Sequence, residues 1–178
     1  MTNPHDASCD AGAAVSGLPP VLPPRCTLLV LGSLPGRASL AAGRYYAHPR
    51  NQFWRLLEEV CAQPLAQLDY PARLERLGAH GIGLWDVIAS ARRASSLDGD
   101  IRAAVHNPLA DLVATLPDLR AVACNGALAA ASARRMLGDG ALPVIALPSS
   151  SPAYTLSLAD KAAVWRPLAA FVDAPPAG

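Results

Sequence analysis

Apolar residues in this chain come in short runs, separated by amphipathic stretches. Leu28-Leu29-Val30-Leu31, Leu119 to Cys124 and Pro143 to Leu147 are apolar nearly throughout. Runs of that length bounded by turn residues predict buried strands. Gly81-Ile82-Gly83-Leu84-Trp85-Asp86-Val87-Ile88 reads as a further short strand that runs into a loop. A helical period appears from Gln52 to Ala62, with Phe53, Trp54, Leu56, Leu57, Val60 and Cys61 on one face. Ala72 to Ala79 predicts a second, short helix. Asn107-Pro108 is a helix start, with Asn as N-cap, and that helix runs to about Leu116. Asn125-Gly126 opens another, ending near Gly138. A last helix spans Leu158 to Val172 and is interrupted at Pro167.

Strands that alternate with helices, and are apolar on both faces, predict a parallel sheet covered on both sides. The expected fold is therefore α/β, a three-layer α/β/α sandwich around a central, mostly parallel sheet of about four strands. Ligands of such sheets bind beyond the carboxyl ends of the strands. Three polar loops fall there: Gly32 to Asn51, the loop after Trp85-Asp86, and Pro148 to Tyr154. Asn125 falls at a fourth strand end.

The length of 178 residues suits one domain. Residues 1–24 are small, polar and proline-rich at their end, which predicts a disordered tail. Residues 25–173 form the expected domain and 174–178 a C-terminal tail. With 52% hydrophobic and 16% charged residues, the chain can bury a core. A net charge of +1 gives no bulk electrostatic case for nucleic acid. Lys161 is the only lysine, and Arg supplies the other positive charges. Arg92 and Arg93 read as a solvated pair, with phosphate contact as the sharper alternative. The four cysteines, Cys9, Cys26, Cys61 and Cys124, form no close pair, so a zinc or iron–sulfur site has little support. Cys61 and Cys124 lie in apolar segments, as buried thiols do in a reducing cytoplasm. No apolar run reaches the roughly 20 residues that a membrane-spanning helix needs. The N-terminus lacks the basic start and apolar core of a secretory leader.

Candidate chemistry concentrates between Gly32 and Trp54. Gly32-Ser33-Leu34-Pro35-Gly36 follows the first strand and is neither a Walker loop nor a G-x-G-x-x-G fingerprint, which argues against nucleoside-triphosphate chemistry. Taken singly, each polar residue nearby has a structural reading. Tyr45 and Tyr46 suit a boundary between core and water. His48 suits a local hydrogen bond, Asn51 a helix cap, and Asp86 a turn. Ser149, Ser150 and Ser151 lack the G-x-S-x-G setting of a nucleophile and fit a phosphate-cradling turn better.

Together, these segments resemble the uracil-DNA glycosylase superfamily. Gly32-Ser33-Leu34-Pro35-Gly36 is similar to its first motif, and Leu147-Pro148-Ser149-Ser150-Ser151-Pro152-Ala153 to its second. The block Ala47-His48-Pro49-Arg50-Asn51-Gln52-Phe53-Trp54 resembles the mismatch-specific uracil glycosylase branch. Adding Tyr45-Tyr46, Leu84 to Ile88, Ser96-Leu97-Asp98 and Asn125-Gly126, the pattern is most similar to the hypoxanthine-DNA (deoxyinosine) glycosylase family. Leu34 stands where many relatives carry Asp or Asn to position the attacking water, and Ser149 where many carry His or Asn.

The resemblance implies a monofunctional glycosylase that hydrolyses the N-glycosidic bond of a flipped, deaminated base, with hypoxanthine favoured. It implies catalytic roles for Asn51, as orienter of water, and His48. Gly32, Ser33, Leu34, Tyr46 and Asn125 would hold the base, with Tyr46 stacked on it and Asn125 reading a ring edge. Ser149, Ser150, Ser151, Pro152, Ala153 and Tyr154 would hold the DNA, with Tyr154 as a candidate wedge. Lys161 is expected away from the pocket loops, so no Schiff-base step is implied. Nor is a metal or organic cofactor. The expected partner is DNA, double- or single-stranded, met by a cytoplasmic monomer with no membrane. Uracil as the base, a lesion-binding module without catalysis, and a small-nucleotide-binding α/β protein stand as alternatives. Leu34 and Ser149 favour the second of these.

Overall fold

The computed structural model describes residues 14–174. The elements run β1 (Ala14–Ser16), β2 (Leu28–Gly32), α1 (Arg37–Ala42), α2 (Phe53–Cys61), α3 (Tyr70–Ala79), β3 (Ile82–Asp86), β4 (Ile88–Arg93), β5 (Ile101–His106), α4 (Leu109–Ala114), β6 (Ala121–Asn125), α5 (Ala127–Leu137), β7 (Val144–Leu147) and α6 (Leu158–Trp165). A 3-10 turn, Arg166–Phe171, continues α6 past Pro167. The predicted central sheet is present: four parallel strands in the order β3-β2-β6-β7.

Strand β2 explains the layering. Its residues are buried on both faces, and alternate side chains enter different cores. Leu28 and Val30 pack with Phe53, Leu56 and Leu57 of α2 and with Trp165 of α6. Leu29 and Leu31 pack with Leu109 of α4 and with Ala129, Ala130 and Ala133 of α5. The apolar stripe of α2 buries Phe53, Trp54, Leu56, Leu57, Val60 and Cys61. At about 1.5–3 kcal/mol for each large apolar side chain buried, that face is a principal source of stability.

Register then aligns the strand ends. Gly32 pairs with Asp86, Leu31 with Cys124, and Asn125 with Leu147. Residues with no common sequence neighbourhood therefore meet along one edge of the sheet.

Several expectations need correction. A second, antiparallel sheet, β1-β4-β5, was not predicted. Only Val87 separates β3 from β4. The tail expected to reach Pro24 is not a tail from residue 14 onward. Ala14–Ser16 pairs with β4, Val21 bridges Leu84, and the Tyr45 hydroxyl donates to the Leu18 and Pro19 carbonyls. Residues 1–13 of that tail, with Cys9, lie outside the described residues, as do residues 175–178. The Gly32 to Asn51 loop carries the short helix α1, closed by Gly43 in the left-handed region (φ 60°). Asn107 does not cap α4; its side chain donates to the Asp86 carbonyl at 2.8 Å.

Candidate active site

A cleft of about 980 Å³ opens beyond the carboxyl ends of β2, β3, β6 and β7. All thirteen site residues expected from the sequence line it, from Gly32 and Asn51 to Ser149 and Tyr154. Asp86, Ser96, Leu97, Asp98, Leu156 and Val164 line it as well.

The floor is built on Gly32. A Cβ at that position would collide with Asp86 Oδ1 and come within 3.1 Å of the Tyr46 hydroxyl. Glycine is what lets a carboxyl and a phenol share the end of β2. Tyr46 is itself in the left-handed region (φ 53°), an uncommon backbone for an aromatic residue and one that concentrates at functional sites. Its ring lies flat on buried Phe53, with centroids 3.5 Å apart and planes 11° apart. That leaves only the opposite ring face for a ligand.

Two buried polar atoms on this floor have no hydrogen-bond partner among the described residues: the Tyr46 hydroxyl and Asp86 Oδ2. Asp86 is 3% exposed. Burial, with the nearby Asp98 charge, pushes its carboxyl up to about 7, against the pull of Arg93. Burial and Asp86 likewise hold the Tyr46 phenol well above its ordinary range, with Asn125 acting the other way.

Arg93 corrects the expectation of a solvated pair. It is buried, and its guanidinium donates to the Leu34 and Pro35 carbonyls, fixing the first motif. The Ser33 hydroxyl donates to Asp98. Leu34 is buried with Trp85, Val87 and Ile88, so its side chain belongs to the core.

Asn51 and His48 sit at the side of the cleft. Asn51 Oδ1 accepts the Phe53 N–H at 3.0 Å, capping α2 from the residue before its N-cap position. One lone pair of the amide oxygen is thus engaged, and the NH2 group has no protein acceptor among the described residues. His48 Nδ1 accepts the Arg50 N–H at 3.2 Å, so a neutral ring carries its proton on Nε2 and offers a donor.

The serine loop is held as a strut. Asn125 donates to the Ser150 hydroxyl and accepts the Ser150 N–H, both at 2.8 Å. The Ser150 carbonyl accepts from Gln52 N–H. Ser150 is fully buried, so this hydroxyl holds the loop instead of facing a ligand, and Asn125 is committed to it. Lys161, expected away from the pocket loops, instead reaches this loop. Its ammonium donates to Gln52 Oε1 at 2.9 Å, to the Tyr154 carbonyl at 2.8 Å and to the Ser151 carbonyl at 3.4 Å. Tyr154, Leu156 and Val164 form an exposed apolar lip beside it.

A family model described as the uracil DNA glycosylase superfamily matches residues 19–170. The chain belongs to this superfamily. Membership carries the enzyme class, hydrolysis of the N-glycosidic bond between base and sugar. A protein named hypoxanthine DNA glycosylase from Methanosarcina barkeri is 40% identical over 110 residues, which cover 62% of this chain and 70% of that one. Another of that name, from Methanosarcina acetivorans, is 34% identical over 149 residues, 84% of this chain and 94% of its own. A solution NMR structure from Methanosarcina acetivorans, described provisionally as a uracil DNA glycosylase, superposes with a TM-score of 0.80 at 32% identity. It covers 88% of this chain and 97% of its own.

In this superfamily member, sequence reasoning missed Asp86, Arg93 and Lys161. The signal for Asp86 was its place: a carboxylate ending an apolar strand, where ligands of such sheets bind. Gly32→Ala displaces the Asp86 carboxyl or the Tyr46 hydroxyl from the floor. It is expected to slow glycosidic cleavage about tenfold, measured under single-turnover conditions. A rate equal to wild type would show that the floor tolerates the shift.

Proposed function

We propose that this chain excises hypoxanthine from deoxyinosine in DNA, leaving an abasic site. The observation that carries this reading is its likeness, over most of the domain, to two proteins named hypoxanthine DNA glycosylase. The cleft supports it, being large enough to take a flipped purine nucleotide at the strand ends. Flipping costs a few kcal/mol, and less where the base is poorly paired.

In this reading Tyr46 stacks on the base with its free face. Leu34 has no group to position a water, so Asn51 takes that role through its NH2 group, which holds the water oxygen near the anomeric carbon. His48 donates from Nε2 to the leaving base or to that water. Fixed donors of this kind stabilise charge as it develops, which suits a reaction through a cation-like sugar. Ser149, Ser151, Pro152 and Ala153 contact the DNA backbone, and the Tyr154–Leu156 lip enters the duplex. Lys161 donates hydrogen bonds to Gln52 and the serine loop, which fits hydrolysis by water without a Schiff base. The enzyme acts as a cytoplasmic monomer; three buried free thiols fit a reducing compartment.

The test is release of base from duplexes and single strands carrying inosine, xanthine or uracil. Hypoxanthine is expected to leave fastest. Faster release of uracil would transfer the assignment to that base. Tight binding of inosine DNA without any abasic product would make the protein a lesion-binding module.

A further inference from the structure

The glycosylase reading leaves the most unusual group of the cleft without a task. Asp86 has a buried carboxyl oxygen with no partner among the described residues, at the end of a strand paired with β2. Native proteins rarely leave a buried carboxyl unpaired, because its desolvation goes uncompensated. Here its surroundings are arranged to keep it so. Asn107 fixes the Asp86 backbone carbonyl. Gly32 clears space before the carboxyl, and Arg93, whose charge acts on it, donates its hydrogen bonds to the Leu34 and Pro35 carbonyls. The Tyr46 hydroxyl, the second unpartnered atom, lies beside the same glycine on a strained backbone.

We propose that Asp86 is a catalytic residue that touches the flipped base. With the Tyr46 hydroxyl it hydrogen-bonds the ring, and its carboxyl proton passes to a ring nitrogen or carbonyl oxygen as the glycosidic bond breaks. This rests on the glycosylase reading above. The bond's electron pair leaves with the base, which departs neutral after taking the proton, and Asp86 becomes a carboxylate. Water adds to the sugar cation at the anomeric carbon and loses a proton, which restores the Asp86 acid. The net change is one water consumed, with free base and an abasic site formed. A purine benefits from such help because its anion is a poor leaving group, whereas the protonated base departs neutral.

Burial keeps the acid form of Asp86 populated up to about pH 7. The charged and titratable groups facing it are Asp98, Arg93, Tyr45 and Tyr46, and His48 lines the same cleft.

The experiment is single-turnover release of hypoxanthine from inosine duplex across about pH 5.5 to 9. Wild type should hold a plateau in acid and fall about tenfold per pH unit above the Asp86 transition. Asp86→Asn should be about 100-fold slower at pH 6 and lack that alkaline limb. His48→Gln should keep the limb. Asp98→Asn, which removes a neighbouring negative charge, should move the limb to lower pH. An Asp86→Asn rate within about threefold of wild type, or an unmoved limb in both Asp variants, would overturn the proposal. Should Asp86→Asn not fold, the Asp98→Asn shift decides. If wild type releases uracil but not hypoxanthine, the preferred base is wrong and the same limb tests Asp86 on uracil. If it releases neither, both readings fall.

Discussion

Asn51→Ala is expected to release hypoxanthine roughly 100- to 1000-fold more slowly than wild type, the range for losing one preorganised polar group. In the proposed reading the side chain has two tasks, carried by different atoms. Its oxygen caps α2 through the Phe53 N–H; its NH2 group is left for the cleft. Losing the cap costs about 1 kcal/mol, too little to unfold an ordinary domain or explain a large loss of rate. Asn51→Ser keeps an acceptor for the cap but has no carboxamide. It should recover the stability and not the activity, read by thermal melting beside single-turnover kinetics. Near-wild-type excision by Asn51→Ala would end the water-positioning assignment.

Lys161→Met is expected to cost about 2–3 kcal/mol of stability, because buried acceptors lose a charged donor. Lys161 is 1% exposed and has no acidic partner among the described residues; neutral oxygens from Gln52, Ser151 and Tyr154 satisfy it. Methionine preserves the length of the stem but leaves those oxygens bare. In a domain of this size the melting temperature should fall by about 5–10 °C. Because the same ammonium ties the Asn51-Gln52 block to the serine loop, excision should also slow about tenfold at a temperature where the variant is folded. A melting curve superposable on wild type would show that water replaces the ammonium there.

Much of the layer structure was legible because the strands are apolar on both faces and the helices carry clear stripes. Leu28 to Leu31 needs no context to read as a central strand. The second sheet was not legible. Its strands, Ile88–Arg93 and Ile101–His106, mix alanine with arginine, are partly exposed, and gain their form from each other and from β1. Helix α1 is six residues between glycines and has no period to detect. The cleft residues that belong to a motif could be named in advance. Asp86 fell within the Leu84 to Ile88 segment with only a turn as its own reading, and Lys161 was placed away from the pocket. Asp86 acquires meaning from Gly32 across a strand pair, and Lys161 from Gln52, 109 positions away. Arg93 looked solvated because its acceptors are backbone oxygens, which a sequence does not display as partners.

The β1 pairing bears on how the protein is handled. A domain boundary drawn from the proline run would start the chain at Arg25. Such a truncation removes the strand that covers one side of β4, together with the Leu18 and Pro19 carbonyls that anchor Tyr45. An uncovered strand edge is a template for pairing with another molecule. The shortened protein is expected to self-associate and precipitate, with Tyr45 unanchored. Expression and crystallisation trials therefore belong on a chain that begins before Ala14.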